Sequence, residues 1–318
     1  MELNVFFNQL FVLGVLVLIG ILASYFKVID ESLKDGLAGI IFNITLPLLI
    51  LTGISNMEAR EGLLKSSLFV IVFSTIMTGL MWLSGYFSSK MLHLPKKIAS
   101  VHIVHTMFGN IVYLGFPLIN VLYPGGEGLY YAILFHLVSS LFMWTVGILI
   151  LQDKRKKGVW TNLKPLLNLN TLAFALGFII FMLPLKIPVL LNKPLEGLGK
   201  TTIYLSMLYI GAILAGIKWK DAIRSWQAYF LGLNKLLLIP IFGILVIAGL
   251  GRYFSFEPGS LAVSVIILEV SMPCMANIVV LARIYGADDK VAAKNVFITT
   301  ILSIFTLPLI YFLLNYYL

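Results

Sequence analysis

The sequence predicts an all-α integral membrane protein of ten transmembrane helices, arranged as two inverted five-helix repeats with helices 4 and 9 broken. Three observations carry this. Hydrophobic residues make up 60% of the 318 and charged ones 12%, with a mean hydropathy of +0.99; a water-soluble chain cannot hide that much apolar surface. The apolar residues come in continuous runs of about 20, which is helix length for a bilayer, whereas barrel strands would alternate at every second residue. The two halves of the chain also hold equal numbers of runs with matching landmarks.

The runs cover roughly 6–26, 36–55, 66–89, 98–122, 128–152, 169–188, 197–217, 225–250, 260–284 and 292–316. Met1-Glu2-Leu3-Asn4 supplies no basic region ahead of the first, so a retained span is expected there rather than a cleaved signal. The connections are short. The longest, 153–168, contains Lys154-Arg155-Lys156-Lys157 and separates a first repeat, 1–152, from a second, 169–318.

Matching landmarks support the repeat. Asn8-Gln9-Leu10-Phe11 opens span 1, and Asn168-Leu169-Asn170-Thr171 opens span 6. Asn43-Ile44-Thr45-Leu46 of span 2 stands against Tyr204-Leu205-Ser206-Met207 of span 7. Spans 4 and 9 carry Pro117 and Pro273, each followed by a tyrosine- and glycine-containing loop, Tyr123-Pro124-Gly125-Gly126-Glu127 and Tyr285-Gly286-Ala287-Asp288-Asp289. Five is odd, so the second half enters the membrane from the opposite side.

Charge sets the orientation. The formal net charge is +9, with 23 Lys and Arg. Sixteen of them fall in the loops after the odd-numbered spans and six on the other face, with Lys235 inside span 8. Basic residues stay on the cytoplasmic side, which puts both termini outside a cell (plasma or inner) membrane. A nucleic-acid partner is not expected, since no soluble domain is present to hold one. A single cysteine, Cys274, excludes an intrachain disulfide, and it reads as a small buried hydrophobe.

The two prolines sit in Gly109-Asn110-Ile111-Val112-Tyr113-Leu114-Gly115-Phe116-Pro117 and in Glu269-Val270-Ser271-Met272-Pro273-Cys274-Met275-Ala276-Asn277. Proline removes an N–H and crowds the carbonyl one turn back, so both helices should break near mid-membrane. Released backbone groups are tolerated there only inside protein or along a wet cavity. The half-helix that starts at each break turns its positive dipole end toward that cavity, which suits an anion. The expected binding set is Asn110, Gly115, Pro117, Ser271, Pro273 and Asn277, with Asn43 and Ser206 at matching places in spans 2 and 7. Asn110 and Asn277 either bond a ligand or cap freed backbone. Asn43, Ser206 and Tyr209 either line the site or bond helix to helix. Pro47, Pro240 and Pro308 read as kinks.

Ionisable groups within spans are costly in lipid. Glu269, one turn before Pro273, is the candidate coupling group for a proton or sodium ion. The competing reading is a structural carboxylate paired with Lys235. Lys235 itself is expected to snorkel toward the cytoplasmic interface, and His136 to pack against Ser139 and Ser140. His102 and His105 share a helix face without further ligands, so no metal is expected. There is no Gly-x-x-x-x-Gly-Lys-Ser/Thr loop and no His-Glu-x-x-His, so neither ATP drive nor a zinc enzyme is indicated. No cofactor is expected.

Gly109-Asn110 followed by Gly115 and Pro117 in span 4, with Pro273 and the run to Tyr285-Gly286-Ala287-Asp288 in span 9, resembles the auxin efflux carrier family. The resemblance covers almost the whole chain. It implies a carrier of small organic anions, carboxylates among them, that works by alternating access. It also implies that the two broken helices cross, as in the bile-acid-symporter and sodium–proton-antiporter fold. Plant members carry a long cytoplasmic loop between the halves; the short 153–168 segment matches the bacterial ones. A sodium-coupled organic-anion symporter of the bile-acid type is the alternative, and an intramembrane enzyme or sensor a more distant one. A homodimer is compatible with this reading. The first three spans of each half would form the scaffold, against which the crossed spans move.

The basic asymmetry makes the topology testable by cysteine labelling on a Cys274-free background. A cysteine at Lys156 should resist an impermeant reagent added outside intact cells and react once the membrane is opened. Reaction from outside would invert the assignment.

Overall fold

In lipid the backbone has to satisfy its own hydrogen bonds, and runs of this length do so as helices. The computed structural model describes residues 3–57, 62–152, 167–183, 185–217, 219–254 and 259–317, and its regular structure there is helical. Lys154, Arg155, Lys156 and Lys157, with most of the predicted 153–168 link, lie outside the described residues. Among the described residues six helical stretches are long and apolar enough to cross a membrane: Glu31–Ser55, Leu63–Met91, Glu127–Leu151, Val189–Ala215, Trp226–Gly249 and Asp289–Tyr316. Four shorter apolar helices accompany them, Phe11–Tyr25, Ile111–Leu122, Leu169–Met182 and Ser260–Val270.

In chain order the α-helices are α1 Leu3–Tyr25, α2 Glu31–Ile40, α3 Leu46–Ser55, α4 Leu63–Met91, α5 Lys96–Met107, α6 Phe116–Leu122, α7 Glu127–Phe142, α8 Ile148–Leu151, α9 Leu169–Met182, α10 Val189–Ala215, α11 Trp219–Ile223, α12 Trp226–Leu233, α13 Ile239–Phe254, α14 Ser260–Val270, α15 Ile278–Tyr285 and α16 Asp289–Tyr317. Large apolar side chains such as Phe11, Leu22, Leu68 and Phe305 are exposed, while Ser74, His105, Thr202 and Glu269 are buried. Apolar outside and polar inside is the pattern a lipid solvent selects.

Among the described residues four π turns interrupt the helical path: Ile41–Thr45, Ile111–Gly115, Met143–Gly147 and Asn234–Leu238. Three of them lead directly into an α-helix whose second residue is proline, Pro47, Pro117 or Pro240. The proline ring crowds the carbonyl four residues back, and the wider π turn moves that carbonyl aside. The same turn leaves a carbonyl without a helical donor. The Leu46 N–H reaches back to the Ile41 carbonyl, and Pro47 has no N–H, so the Phe42 carbonyl is orphaned. The buried Asn170 side chain, from the first turn of α9, donates to it at 3.2 Å.

The chain divides into two compact units. The first comprises residues 1–64, 112–133 and 167–216; the second comprises 65–111, 134–166 and 217–318. In the first unit α1 lies against α10 at glycines. A Cβ on Gly20 would collide with the Leu208 carbonyl, and one on Gly211 with the Val17 carbonyl. Gly199 of α10 and Gly177 of α9 pack in the same way on Leu49 and Leu51 of α3. Small residues allow this close approach, which replaces the hydrophobic effect as the source of packing energy in lipid.

In the second unit, Gly85 of α4 sits where a Cβ would lie 3.0 Å from Ile103 Cα and 3.0 Å from Thr106 Cβ of α5. Gly243 of α13 abuts Ile267 of α14 and Met77 of α4. Val101, Val104, Met107 and Phe108 form one buried cluster with Met143, Ile148, Leu151, Ile278 and Ala282. Each unit draws on both halves of the sequence. Spans 3 and 8, which sequence reasoning grouped with a scaffold of first and second spans, belong to the second unit, because α4 and α13 pack on α5 and α14.

Candidate functional site

Within the second unit two helices end early and their ends meet. α5 stops at Met107. Phe108 turns extended (φ −114°, ψ 121°) while its N–H still closes the last turn on the Val104 carbonyl. α14 stops at Val270, and the Ser271 N–H closes its last turn on Ile267 and Leu268. The Met272 N–H bonds the Glu269 carbonyl at 3.2 Å, and the chain is then irregular until α15 begins at Ile278.

The two irregular stretches pair antiparallel, with Gly109 opposite Cys274. The Asn110 N–H donates to the Pro273 carbonyl at 2.7 Å, and the Met275 N–H to the Phe108 carbonyl at 3.2 Å. Glycine is required at 109: a Cβ there would stand 2.9 Å from Met272 Cβ and 3.3 Å from the Glu269 carbonyl. Proline at 273 brings an acceptor and no donor, so no N–H is stranded there. The Cys274 N–H, turned the other way, donates to Thr299 Oγ1 of α16 at 3.0 Å. The Cys274 thiol lies 3.8 Å from the His105 carbonyl.

Buried polar side chains gather at this junction. Asn295 of α16 bonds His105 Nδ1 through its amide nitrogen at 3.2 Å. His102 Nε2 and Ser88 Oγ are 2.8 Å apart. Lys235 is 0% exposed and donates from Nζ to the Thr106 carbonyl at 3.1 Å. It does not snorkel: it lies in the π turn ahead of Pro240 and points into the protein. Glu269 is 1% exposed and neither carboxyl oxygen has a hydrogen-bond partner among the described residues. The alternative Glu269–Lys235 pair is absent there; the lysine turns to a backbone carbonyl instead.

The structure sorts the sequence-predicted residues into two groups. Asn110, Ser271, Pro273, Asn277 and Glu269 all belong to the second unit, at or beside the paired breaks. Ser271 Oγ donates to the Ile267 carbonyl at 2.6 Å, within its own helix. Asn277 is half-buried and precedes α15, but its side chain makes no capping bond. The capping reading of Asn277 is therefore overturned: the first N–H groups of α15 turn back on the chain itself, Ile278 to the Met275 carbonyl at 3.2 Å and Val279 to the Ala276 carbonyl at 3.1 Å.

Gly115, Pro117, Asn43 and Ser206 fall in the first unit. The break expected at Pro117 lies instead at Phe108–Asn110, because the π turn Ile111–Gly115 accommodates the proline ring within a helical path. Asn43 is exposed and donates to its own Gly39 carbonyl at 3.0 Å. Ser206 is fully buried in α10 with its hydroxyl unpaired among the described residues. The Tyr209 ring packs on Tyr113 at 4.8 Å between centroids.

Sequence reasoning missed Thr106, Asn295 and Thr299. A signal was present: Asn295, Thr299 and Ser303 recur every four residues in an otherwise apolar span, which puts a polar stripe on one helix face. All three are buried.

Comparison with known proteins places this junction in context. The family model described as membrane transport protein matches residues 5–165 and 158–311. An uncharacterized transporter of Methanocaldococcus jannaschii is 27% identical over 304 residues, covering 93% of this chain and 94% of the relative. An uncharacterized transporter of Methanothermobacter thermautotrophicus is 27% identical over 300 residues, with the same coverage of each chain.

The role of α16 at the break can be measured. Thr299→Val keeps the side-chain volume and leaves the Cys274 N–H unsatisfied, so it should lower stability by about 1–3 kcal/mol. Thr300→Val is the control, since its hydroxyl bonds only the Val296 carbonyl of its own helix. Equal thermal shifts for the two variants in detergent would show that Thr299 does not hold the break.

Proposed function

The chain belongs to the membrane transport protein family, the auxin efflux carriers, and on that premise we propose that it is a secondary transporter of small organic anions, not an enzyme, working by alternating access in the cell membrane. The observation that carries the reading is the pair of helix breaks joined backbone to backbone in the second unit, with α15 starting there uncapped. The positive dipole end of α15 at that junction suits a carboxylate. The Asn110 and Asn277 side chains flank the paired segment and are the proposed hydrogen-bond donors to it. The pairing of breaks from spans 4 and 9, together with the six long and four shorter apolar helices, supports the ten-span inverted-repeat arrangement in which those spans cross.

Electrical drive decides whether coupling is needed. An anion leaving a negative-inside cell gains about 2.3 kcal/mol per charge per 100 mV. Export of a monoanion therefore runs without a coupled ion, and concentrative uptake requires one. Glu269 is the proposed coupling group: it is a buried carboxyl without a protein partner among the described residues, at the end of α14, where a proton or sodium ion would also meet the negative end of the helix dipole. Sodium dependence separates the bile-acid-type alternative from a proton-coupled or uncoupled carrier.

The test is counterflow and gradient-driven uptake of radiolabelled carboxylates in proteoliposomes. Asn110→Ala should weaken binding by about 1–3 kcal/mol, the cost of losing one hydrogen bond to a charged ligand in a buried site. Glu269→Gln should abolish ion-driven accumulation and leave counterflow intact. If Asn110→Ala and Asn277→Ala both bind like wild type, the site lies elsewhere. Normal accumulation in Glu269→Gln removes that residue from coupling.

A further inference from the structure

Thr106 lies in the last turn of α5. In an unbroken helix its carbonyl would accept the N–H of Asn110, four residues on. That N–H is taken by the Pro273 carbonyl at 2.7 Å, so pairing the two breaks orphans the Thr106 oxygen. The donor that reaches it is the Lys235 ammonium, at 3.1 Å. A neutral hydroxyl or amide would have satisfied the same oxygen. A charge buried at 0% exposure is far more costly, and it survives only with compensation. Among the described residues no carboxylate supplies it: Glu269 has no partner at either oxygen, and Lys235 has only the carbonyl. The negative dipole end of α5 is one compensating element. It carries about half an elementary charge, so a substantial positive charge is left over for an anion.

We propose that Lys235 is the resident cation of the junction: a positioning residue whose ammonium holds the broken end of α5 and gives the site the fixed positive charge that selects an anionic ligand. The clamp is independent of what is transported. The selection of an anion rests on the transport reading above, and the two are tested by separate readouts. The placement of Lys235 serves both roles. It stands in the π turn Asn234–Leu238, and its neighbour Asn234 is tied by its side-chain oxygen to Ser84 Oγ of α4 at 2.9 Å. The backbone that carries the ammonium is thereby fixed, and the charge stays at one spot.

The experiment uses full-length protein. Lys235→Met keeps the length and removes the charge; Lys235→Ala leaves a space that n-propylammonium can refill with charge and n-propanol without it. Hydrogen–deuterium exchange over Val104–Asn110 reads the clamp, and counterflow of radiolabelled benzoate and malate in proteoliposomes reads anion selection. Exchange in Lys235→Met should be about tenfold faster over that segment, with α1 and α10 unchanged, and counterflow should be lost. Propylammonium should restore both in Lys235→Ala, and propanol neither. If the alanine variant folds only with an additive, recovery with propylammonium alone supports the proposal, and recovery with propanol or with neither overturns it. Wild-type protection in Lys235→Met overturns the clamp. Unimpaired counterflow in Lys235→Met overturns anion selection. Absence of counterflow in wild type strikes the transport reading and leaves the exchange result standing.

Discussion

A helix broken inside the membrane must find a partner for every N–H and C=O it releases, and that requirement organises the second unit. The Asn110 and Met275 N–H groups are traded for the Pro273 and Phe108 carbonyls, so each break satisfies the other. The trade leaves a Thr106 carbonyl for Lys235 and a Cys274 N–H for Thr299. Glycine at 109 lets the two backbones approach, and proline at 273 avoids a stranded donor. The buried polar face of α16, unusual in an apolar span, follows from the same accounting, because Thr299 and Asn295 serve groups that the breaks expose.

Prolines outside the breaks show the milder response to the same constraint. Ahead of Pro47, Pro117 and Pro240 the helix widens to a π turn and continues. The widening costs one orphan carbonyl, which Asn170 repairs at Phe42. Pro308, by contrast, sits inside α16 with no π turn before it among the described residues. Breaking and bending are thus distinct outcomes of similar sequence. The break needs a residue such as Gly109, which permits close backbone approach, together with an antiparallel partner; at Pro47, Pro117 and Pro240 the helical path continues.

That distinction explains what could and could not be read from the sequence. Apolar run length gave the helical segments, because lipid fixes both their length and their conformation. It did not locate the first break, which lies at Phe108–Asn110, since the run continues unbroken through it and Pro117 was the more conspicuous mark. Glycine and asparagine at 109–110 stood in the same motif and carry the backbone pairing. Depth along a span was legible for Lys235 and direction was not: a lysine near the end of an apolar run snorkels on one helix face and is buried on another. The division into units was hidden as well, because it depends on which glycines meet which backbones, as Gly85 does with Ile103. Periodicity within a single span reports none of these contacts.

The groups that hold and polarise the junction are all members of one unit. Asn110, Pro273, Met275, Lys235, Thr299, Asn295 and Glu269 lie within residues 65–111 and 217–318. The chain leaves that unit immediately after Ile111 and returns to it at Leu134, within α7. In the proposed transport cycle this partition has a mechanical consequence. A site whose donors, fixed charge and candidate coupling carboxyl sit on one hydrogen-bonded framework keeps its geometry whichever side it faces, because alternation does not require its internal bonds to break. The pliant points are then expected where the chain changes unit. One of them is the π turn Ile111–Gly115, where the regular helical path is interrupted just as the chain leaves the second unit.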